Sequence, residues 1–269
     1  MKSKLYFLPV LILFIGIVFS GCCKKVTGCK IEWASNYDKD ADKTNNCLCT
    51  FNGVYDSCAT INPSILYIPP VMQETPVWCW LAVGEMVFKY YGLKSVNPAG
   101  NYQCGIIGVM GYISGGACNA CNVKCQNCVV GAGTAQTISN MLTAYPKYTY
   151  KKLYNSNKTL NNAFVSRGLT SPELIAEINN KRPVIAGINP GATFIVSGNS
   201  QHVALITGYY YDVNNNLILN INDPYPYPAL SNPYLFAGGS QNGSLMYKIP
   251  YDLFYNNLLW NTSWYNISW

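Results

Sequence analysis

The sequence contains few charged residues, and this scarcity limits the functions it suits. Asp, Glu, Lys and Arg make up 11% of the 269 residues, well below the usual share of about a quarter. The formal net charge is +6, but the basic residues are scattered, and no basic stripe with interleaved aromatic residues occurs. The sequence therefore carries no signature of nucleic-acid binding.

Long apolar runs are absent except at the start of the chain. Residues 5–19 are almost continuously apolar and follow Lys2 and Lys4, a pattern typical of an export signal. The run is shorter than the roughly 20 residues of a membrane-spanning helix. The small pair before Cys22 resembles a bacterial lipoprotein processing box, which implies cleavage after residue 21 and lipid on the Cys22 sulfur. We expect a lipid anchor at the bacterial cell envelope, on its periplasmic or extracellular face; cleavage of an ordinary signal peptide nearby is the alternative.

Internal repeats and long low-complexity linkers are also absent, so composition alone divides the chain. Residues 1–21 form the predicted signal peptide, residues 22–66 a polar, cysteine-rich segment, and residues 67–269 the main domain. The middle segment has too few apolar residues for a core of its own, so disulfides or packing on the main domain must hold it. Its role as a spacer, a propeptide or a recognition segment stays open.

Cysteine, in contrast, is abundant, with 12 residues in the chain. With Cys22 assigned to lipid and Cys79 set aside, an even number remains, which in an exported chain argues for disulfides. Residues 118–128 contain two C-x-x-C units, for which zinc or an iron–sulfur cluster is the alternative. Behind an export signal, disulfides are favoured, and we expect no metal or organic cofactor. The sequence does not determine the pairing.

The main domain begins with helical patterns and ends with strand patterns. "CWLAVGEMVFKYYG" has apolar residues at helical spacing and Gly92 as its C-cap. "TAQTISNMLTAY" predicts a helix capped by Thr134, and "SPELIAEINNKRP" predicts one with Ser171 as N-cap and Pro172 at the first helical position. "PVIAGI" predicts a buried strand, and "HVALITGYYYD" and "LILNIND" predict a β-hairpin. This order predicts an α+β fold.

Because the chain has a single histidine, any cysteine–histidine chemistry requires that this one residue contacts the reactive cysteine. Cys79 lies between Trp78 and Trp80 in the first turn of the first predicted helix. A thiol with the ordinary pKa of about 8.5 is mostly protonated at neutral pH, but a helix N-terminus and a nearby imidazolium both stabilise the thiolate. His202, which opens a predicted strand, is the only histidine. Either it contacts Cys79 or this mechanism is excluded. The alternatives are a disulfide for Cys79 and a core position for His202.

Two further residues complete a candidate acyl-transfer site. Asp223 ends the second strand of the predicted hairpin, where its carboxylate can orient the His202 ring. Asn222 competes for this role but points to the opposite face by the period of two. Gln73 lies six residues before Cys79, and its amide is a candidate donor to an oxyanion, together with the Cys79 backbone N–H at the helix start.

This constellation resembles the papain-like cysteine peptidases. The shared features are Gln six residues before Cys, an aromatic residue directly after Cys, His a little over 120 residues later, and Asp or Asn at the next strand end. The "WCW" stretch and the short distance from His to Asp are similar to the small bacterial branch that includes the staphopains. The plant-type pattern C-G-[SA]-C-[WY] is absent, and Asp stands where papain has Asn. The resemblance covers roughly residues 67–255.

The resemblance implies both a fold and an activity. The fold has an N-terminal helical half carrying Cys79, a C-terminal antiparallel β half carrying His202 and Asp223, and a cleft between them. Gln73, Cys79, His202 and Asp223 would act as oxyanion donor, nucleophile, base and acid, and orienting residue. We therefore expect an exported thiol protease that cleaves proteins or peptides through a Cys79 thioester. A catalytically silent binding module on this fold, or a transferase or amidase using the same pair, is the alternative.

Overall fold

The computed structural model describes residues 27–28, 37–44, 50–51, 54–55, 61–113, 125–127, 133–191 and 202–269. The chain divides into two compact units, Met1–Tyr55 and Asp56–Trp269. In the first unit, β1 (Thr27–Gly28) pairs in parallel with β2 (Lys43–Thr44), and β3 (Thr50–Phe51) pairs antiparallel with β4 (Val54–Tyr55). The predicted signal peptide and Cys22 lie outside the described residues.

The second unit combines helices with one eight-stranded antiparallel sheet, so the predicted α+β fold is confirmed. Its helices are α1 (Cys79–Tyr90), α2 (Tyr102–Ile113), α3 (Ala135–Tyr154), α4 (Ser171–Asn179), α5 (Pro233–Phe236) and α6 (Tyr251–Asn257). Its strands are β5 (Ile61–Ile65), β6 (Asn161–Val165), β7 (Val184–Ile188), β8 (His202–Tyr211), β9 (Leu217–Asn222), β10 (Ser240–Gln241), β11 (Met246–Pro250) and β12 (Thr262–Ser268).

The sheet is built around β8, its longest strand. The strand order is β10-β11-β9-β8-β7-β12-β6, and β5 pairs with the second half of β8 beyond the end of β7. β5 precedes residue 67, the predicted start of the main domain. None of the helices in the described ranges has both the length and the apolar character that crossing a membrane requires.

Helix α1 lies at the centre of the second unit and carries Cys79 at its first position. Every residue of α1 up to Phe88 is buried, because the helix contacts α2, α3 and β8. A helix covered on all sides is apolar all round, which explains the near-continuous apolar run in the sequence. The C-cap is Tyr91 and not the predicted Gly92; Gly92 follows it at φ +72°, and the Leu93 N–H donates to the Phe88 carbonyl oxygen at 2.9 Å. This is the Schellman arrangement that favours glycine.

Helix α3 begins as predicted but extends further than the sequence indicated. The Thr134 hydroxyl accepts a hydrogen bond from the Thr137 N–H at 3.1 Å and caps the helix. The predicted segment stopped before Pro146, since proline lacks an N–H and normally breaks a helix. The structure continues the helix to Tyr154 with Pro146 inside it. Pro146 and Thr149 are buried there, so packing of this helical face offsets the lost hydrogen bond.

Helix α4 begins one residue earlier than predicted. Its N-cap is Thr170 and not Ser171, so Pro172 occupies the second helical position. The Glu173 carboxylate accepts from the Thr170 backbone N–H at 2.8 Å and from the Thr170 hydroxyl at 2.9 Å. The Glu173 backbone N–H in turn donates to the Thr170 side chain, and this reciprocal arrangement, the capping box, favours Thr170 over Ser171 as the N-cap.

The β8–β9 hairpin forms as predicted and brings two candidate site residues to the same end of neighbouring strands. Its turn is closed by the Asp212 carboxylate, which accepts from the backbone N–H of Asn214 at 2.9 Å and of Asn216 at 2.8 Å. Because the two strands are antiparallel neighbours, the first residue of β8 and the residue after β9 lie at the same end of the hairpin. His202 and Asp223 hold these two positions.

Candidate active site

The hairpin brings the only histidine of the chain against a buried carboxylate. His202 Nε2 lies 2.7 Å from Asp223 Oδ1. The Asp223 side chain is fully buried, and the His202 side chain is 10% exposed. A carboxylate removed from water in this way is compensated by partners of its own, and the His202 ring is the first of them.

The Cys79 thiol reaches the same imidazole from the helical half of the unit. Cys79 is buried and is the one free cysteine among the described residues. Its side chain lies near enough to the His202 ring to contribute to the raised pKa of the imidazole. Since Nε2 faces Asp223, Nδ1 is the ring nitrogen that remains for the sulfur. The structure thus brings together Cys79 at the start of α1, His202 and Asp223, with the imidazole between the sulfur and the carboxylate.

The environment of His202 keeps the imidazole protonated. Burial lowers the pKa of His202, but the charge and hydrogen bond of Asp223 oppose it, and Cys79 adds smaller contributions in the same direction. The net effect raises the His202 pKa from 6.5 to about 10. An imidazolium therefore persists at neutral pH beside the sulfur of Cys79.

Asp223 is held by more than its bond to His202. Oδ1 also accepts from the Tyr225 backbone N–H at 2.8 Å, and Oδ2 accepts from the Tyr234 hydroxyl at 2.7 Å. Asn222, the competing residue, turns the other way: its Nδ2 donates to the Ile68 carbonyl oxygen at 2.7 Å. The period of two along β9 therefore separates the two candidates as predicted, and Asp223 alone faces the imidazole.

Tyr234 is a site residue that sequence reasoning missed. It is completely buried and stacks on Tyr247, with ring centroids 4.1 Å apart. Burial and then the charge of Asp223 raise the pKa of Tyr234 well above 10, so its hydroxyl stays protonated and donates to Asp223. The local sequence marks only a helix start, with Asn232 as N-cap. No local pattern aims the hydroxyl at Asp223.

Two more tyrosines border the imidazole. The rings of Tyr225 and Tyr227 approach His202 edge-on, with centroid distances of 6.4 Å and 6.2 Å. Burial, followed by the charge of Asp223, raises the pKa of Tyr227, so this ring also stays neutral. Both residues follow Asp223 within a few positions.

The candidate oxyanion donors lie where the chain enters α1. Gln73 is buried, and its backbone N–H donates to the Pro224 carbonyl oxygen at 3.0 Å, next to Asp223. Its Nε2 donates to the Thr75 carbonyl oxygen at 2.8 Å, an oxygen that also accepts from the Trp78 N–H at 3.2 Å. The Gln73 amide thus lies at the turn before Cys79 with its second hydrogen uncommitted.

The backbone N–H of Cys79 offers the second donor. It is the first N–H of α1, and within the described part of the chain it has no hydrogen-bond acceptor. Unsatisfied N–H groups at a helix start carry a partial positive charge. Trp78 and Trp80, which flank Cys79, are each 1% exposed and pack in the core. The two tryptophans therefore hold the start of α1 in the core and do not line a cleft.

A disulfide lies close to the entry segment. Cys104 at the start of α2 is bonded to Cys125, and ligand atoms of these two residues and of Glu74 lie within 4.8 Å of one another. With both sulfurs in the bridge, neither is a thiolate that could bind a metal. Cys118, Cys121 and Cys128 lie outside the described residues, so disulfides for them stay a prediction.

Replacing Tyr234 with phenylalanine is expected to lower kcat about five- to tenfold. The change deletes one charge-assisted hydrogen bond to Asp223, worth about 1–1.5 kcal/mol, and frees the carboxylate to turn away from His202. Steady-state rates of the peptide hydrolysis that the resemblance implies, measured on purified variants, test this. Tyr247→Phe is the matched control, because it keeps the same ring stack and loses no bond to Asp223. Equal rates in the two variants would contradict an orienting role for Tyr234.

Comparison with known proteins adds a family match to this geometry. A protein-family model, described as the Peptidase_C39-like family, matches residues 65–234. The matched range contains Gln73, Cys79, His202 and Asp223, and it ends at Tyr234. No curated protein gives a match to the chain.

Proposed function

The chain belongs to the Peptidase_C39-like family of cysteine peptidases, and from this premise we propose that it hydrolyses peptide bonds through a thioester on Cys79. One observation carries the proposal: the free thiol at the start of α1 contacts the only histidine of the chain, and a fully buried aspartate holds that histidine. The finer resemblance to the staphopain branch stays a prediction. So do the export signal and the lipid on Cys22.

The first half of the proposed reaction acylates the cysteine. The Cys79 thiolate attacks the carbonyl carbon of the substrate, a C–S bond forms, and negative charge develops on the carbonyl oxygen. Gln73 Nε2 and the Cys79 backbone N–H donate to that oxygen, which lowers the barrier because the charge exists only in the transition state and the intermediate. The C–N bond then breaks as His202 Nδ1 gives its proton to the departing amine.

The second half returns the enzyme to its starting state. His202, now neutral, accepts a proton from a water molecule while that water attacks the thioester carbon. The C–S bond breaks, the carboxylic acid product leaves, and the thiolate and imidazolium are restored. Asp223 keeps the Nε2–H of the ring oriented throughout. Water is the only co-reactant, so the reaction balances without a metal or an organic cofactor.

Chemical modification of Cys79 tests this proposal. The protein is treated with iodoacetamide for increasing times, the modified residue is identified by mass spectrometry, and hydrolysis is measured with fluorescently labelled casein and a quenched peptide library. We expect hydrolysis to disappear in step with modification of Cys79, while the thermal unfolding temperature stays the same. Hydrolysis that survives complete modification would identify another nucleophile. A chain whose Cys79 reacts with iodoacetamide but which cleaves neither substrate before this treatment would instead be a binding module.

A further inference from the structure

Gln103 contacts the chain on both sides of the proposed oxyanion donor. Its side chain, in the first turn of α2, is 1% exposed. Gln103 Nε2 donates to the Met72 carbonyl oxygen at 3.0 Å, and Gln103 Oε1 accepts from the Glu74 backbone N–H at 3.0 Å. One amide thus holds both neighbours of Gln73. The backbone of Gln73 belongs to no helix or strand, so such contacts decide where it lies.

The same side chain also reaches the helix that carries the nucleophile. Gln103 Nε2 lies 3.3 Å from Glu85 Oε2, and Glu85 is a buried residue of α1. Glu85 is itself fixed by an ion pair with Lys89, whose Nζ lies 2.6 Å from Glu85 Oε1. Gln103 therefore connects the segment around Gln73 to α1, at whose first position Cys79 lies.

Hydrogen bonds and a disulfide hold the start of α2, from which Gln103 makes this connection. Asn101 Oδ1 accepts from the Cys104 backbone N–H at 2.8 Å, as an N-cap does. Asn101 Nδ2 donates to Glu74 Oε1 at 2.6 Å, and Gln126 also hydrogen-bonds to the Glu74 carboxylate. The Cys104–Cys125 disulfide holds residues 125–127, which include Gln126, beside α2. The start of α2 is thus held by its own N-cap, by the Glu74 side chain and, through the disulfide, by residues 125–127.

We infer that Gln103 is a positioning residue that keeps the Gln73 amide aligned with the Cys79 backbone N–H for oxyanion binding. The inference rests on the proposed hydrolytic function. An oxyanion donor must lie about 2.7–3.1 Å from the developing charge, and a displacement of about 1 Å costs up to a hundredfold in rate. A merely structural Gln103 would satisfy buried backbone groups and influence stability, but not the rate of the folded enzyme.

Replacing Gln103 with methionine tests the inference, because methionine keeps the length of the side chain and removes its hydrogen bonds. We expect kcat for a peptide selected from the library to fall about 10- to 100-fold, with KM unchanged within about twofold. The rate of Cys79 alkylation by iodoacetamide should stay within about twofold, since that displacement of iodide forms no oxyanion. A loss of hydrolysis with unchanged alkylation thus indicates a displaced oxyanion donor, whereas a loss of both indicates a damaged nucleophile.

A matched control and a second variant keep this test sharp. Tyr209→Phe removes a hydrogen bond of the Tyr209 hydroxyl to Asn179 Oδ1, 2.9 Å long, near the end of β8 opposite to His202; its kcat should equal that of the wild type. If Gln103→Met does not fold, Gln103→Glu retains an acceptor for the Glu74 N–H. It places a carboxylate oxygen against the Met72 carbonyl and Glu85, and should give the same selective loss of kcat.

A double-mutant cycle distinguishes positioning from an independent effect. Gln73→Ala should lower kcat about 100- to 1,000-fold. Adding Gln103→Met to Gln73→Ala should lower it by no more than about twofold further, because the group that Gln103 aligns is then missing. Multiplicative losses in the double variant would overturn the inference.

The outcomes also separate this inference from the proposed function. Unchanged kcat in Gln103→Met, or equal losses of hydrolysis and alkylation, would overturn the positioning role alone, provided that the wild type cleaves peptides and Cys79→Ala does not. A wild-type protein without hydrolytic activity would overturn both the positioning role of Gln103 and the proposed function.

Discussion

Cys79→Ala is expected to lower kcat/KM for peptide hydrolysis by at least about 10⁴-fold. The proposed reaction passes through a covalent C–S bond, and no other free thiol occurs among the described residues, so nothing replaces the lost nucleophile. Cys79→Ser should be nearly as inactive, since a serine hydroxyl is not ionised by a neighbouring imidazolium. Labelled casein and a quenched peptide are suitable substrates for both variants.

The stability of these variants provides the control. Cys79 lies in the first turn of α1 and is 8% exposed, and alanine is the best helix former. The free energy of unfolding in urea should therefore change by about 1 kcal/mol or less, so a large loss of activity cannot be ascribed to unfolding. Hydrolysis by Cys79→Ala within tenfold of the wild type would refute the thioester mechanism.

Asp223→Ala is expected to lower kcat/KM at pH 8 by about 10²- to 10³-fold and to narrow the pH range of activity. In the wild type, Asp223 raises the His202 pKa to about 10 against the opposing effect of burial. The imidazolium needed to protonate the departing amine is therefore present up to that pH, and activity should fall as the pH rises through about 10. Without the carboxylate, only the smaller contributions of Cys79 oppose the effect of burial on the His202 pKa, and the alkaline limit should move down toward neutral pH.

Asp212→Ala is the matched control for this change. Asp212 lies at the other end of the same hairpin, where its carboxylate accepts hydrogen bonds within the turn. Removing it should weaken the turn slightly and leave the alkaline limit of activity in place. Profiles of kcat/KM between pH 5 and 11 for the three proteins make the comparison. An identical alkaline limit in Asp223→Ala and the wild type would show that Asp223 does not determine the charge of His202.

The same ion pair links stability to pH. The His202 pKa is higher in the folded chain than the 6.5 of an exposed histidine, so folding favours the protonated ring. This contribution to stability is fully present below about pH 6.5 and is lost as the pH rises through about 10. The free energy of unfolding of the wild type should decline across that window, and Asp223→Ala should lack this decline.

Sequence patterns predicted those features of the site that depend on neighbouring residues. The apolar spacing and Gly92 predict the helix that begins at Cys79. The hairpin pattern places His202 and Asp223 at the same end of two neighbouring strands. The period of two distinguishes Asp223 from Asn222. Where the prediction was wrong, packing or a local competitor decided the outcome. α3 passes through Pro146 because the helical face that includes Pro146 and Thr149 is buried, and Thr170 caps α4 because Glu173 reaches back to it.

The contacts between the two halves were beyond any local pattern. The composition showed that His202 had to reach Cys79 if this chemistry was to operate, but only the packing of α1 against β8 brings the thiol to the ring. Tyr234 and Gln103 were missed for the same reason, since each acts on a residue from another element. Local periodicity is set by backbone geometry and is therefore readable in the chain. The alignment of side chains from separate elements depends on how those elements pack, which only the tertiary structure decided.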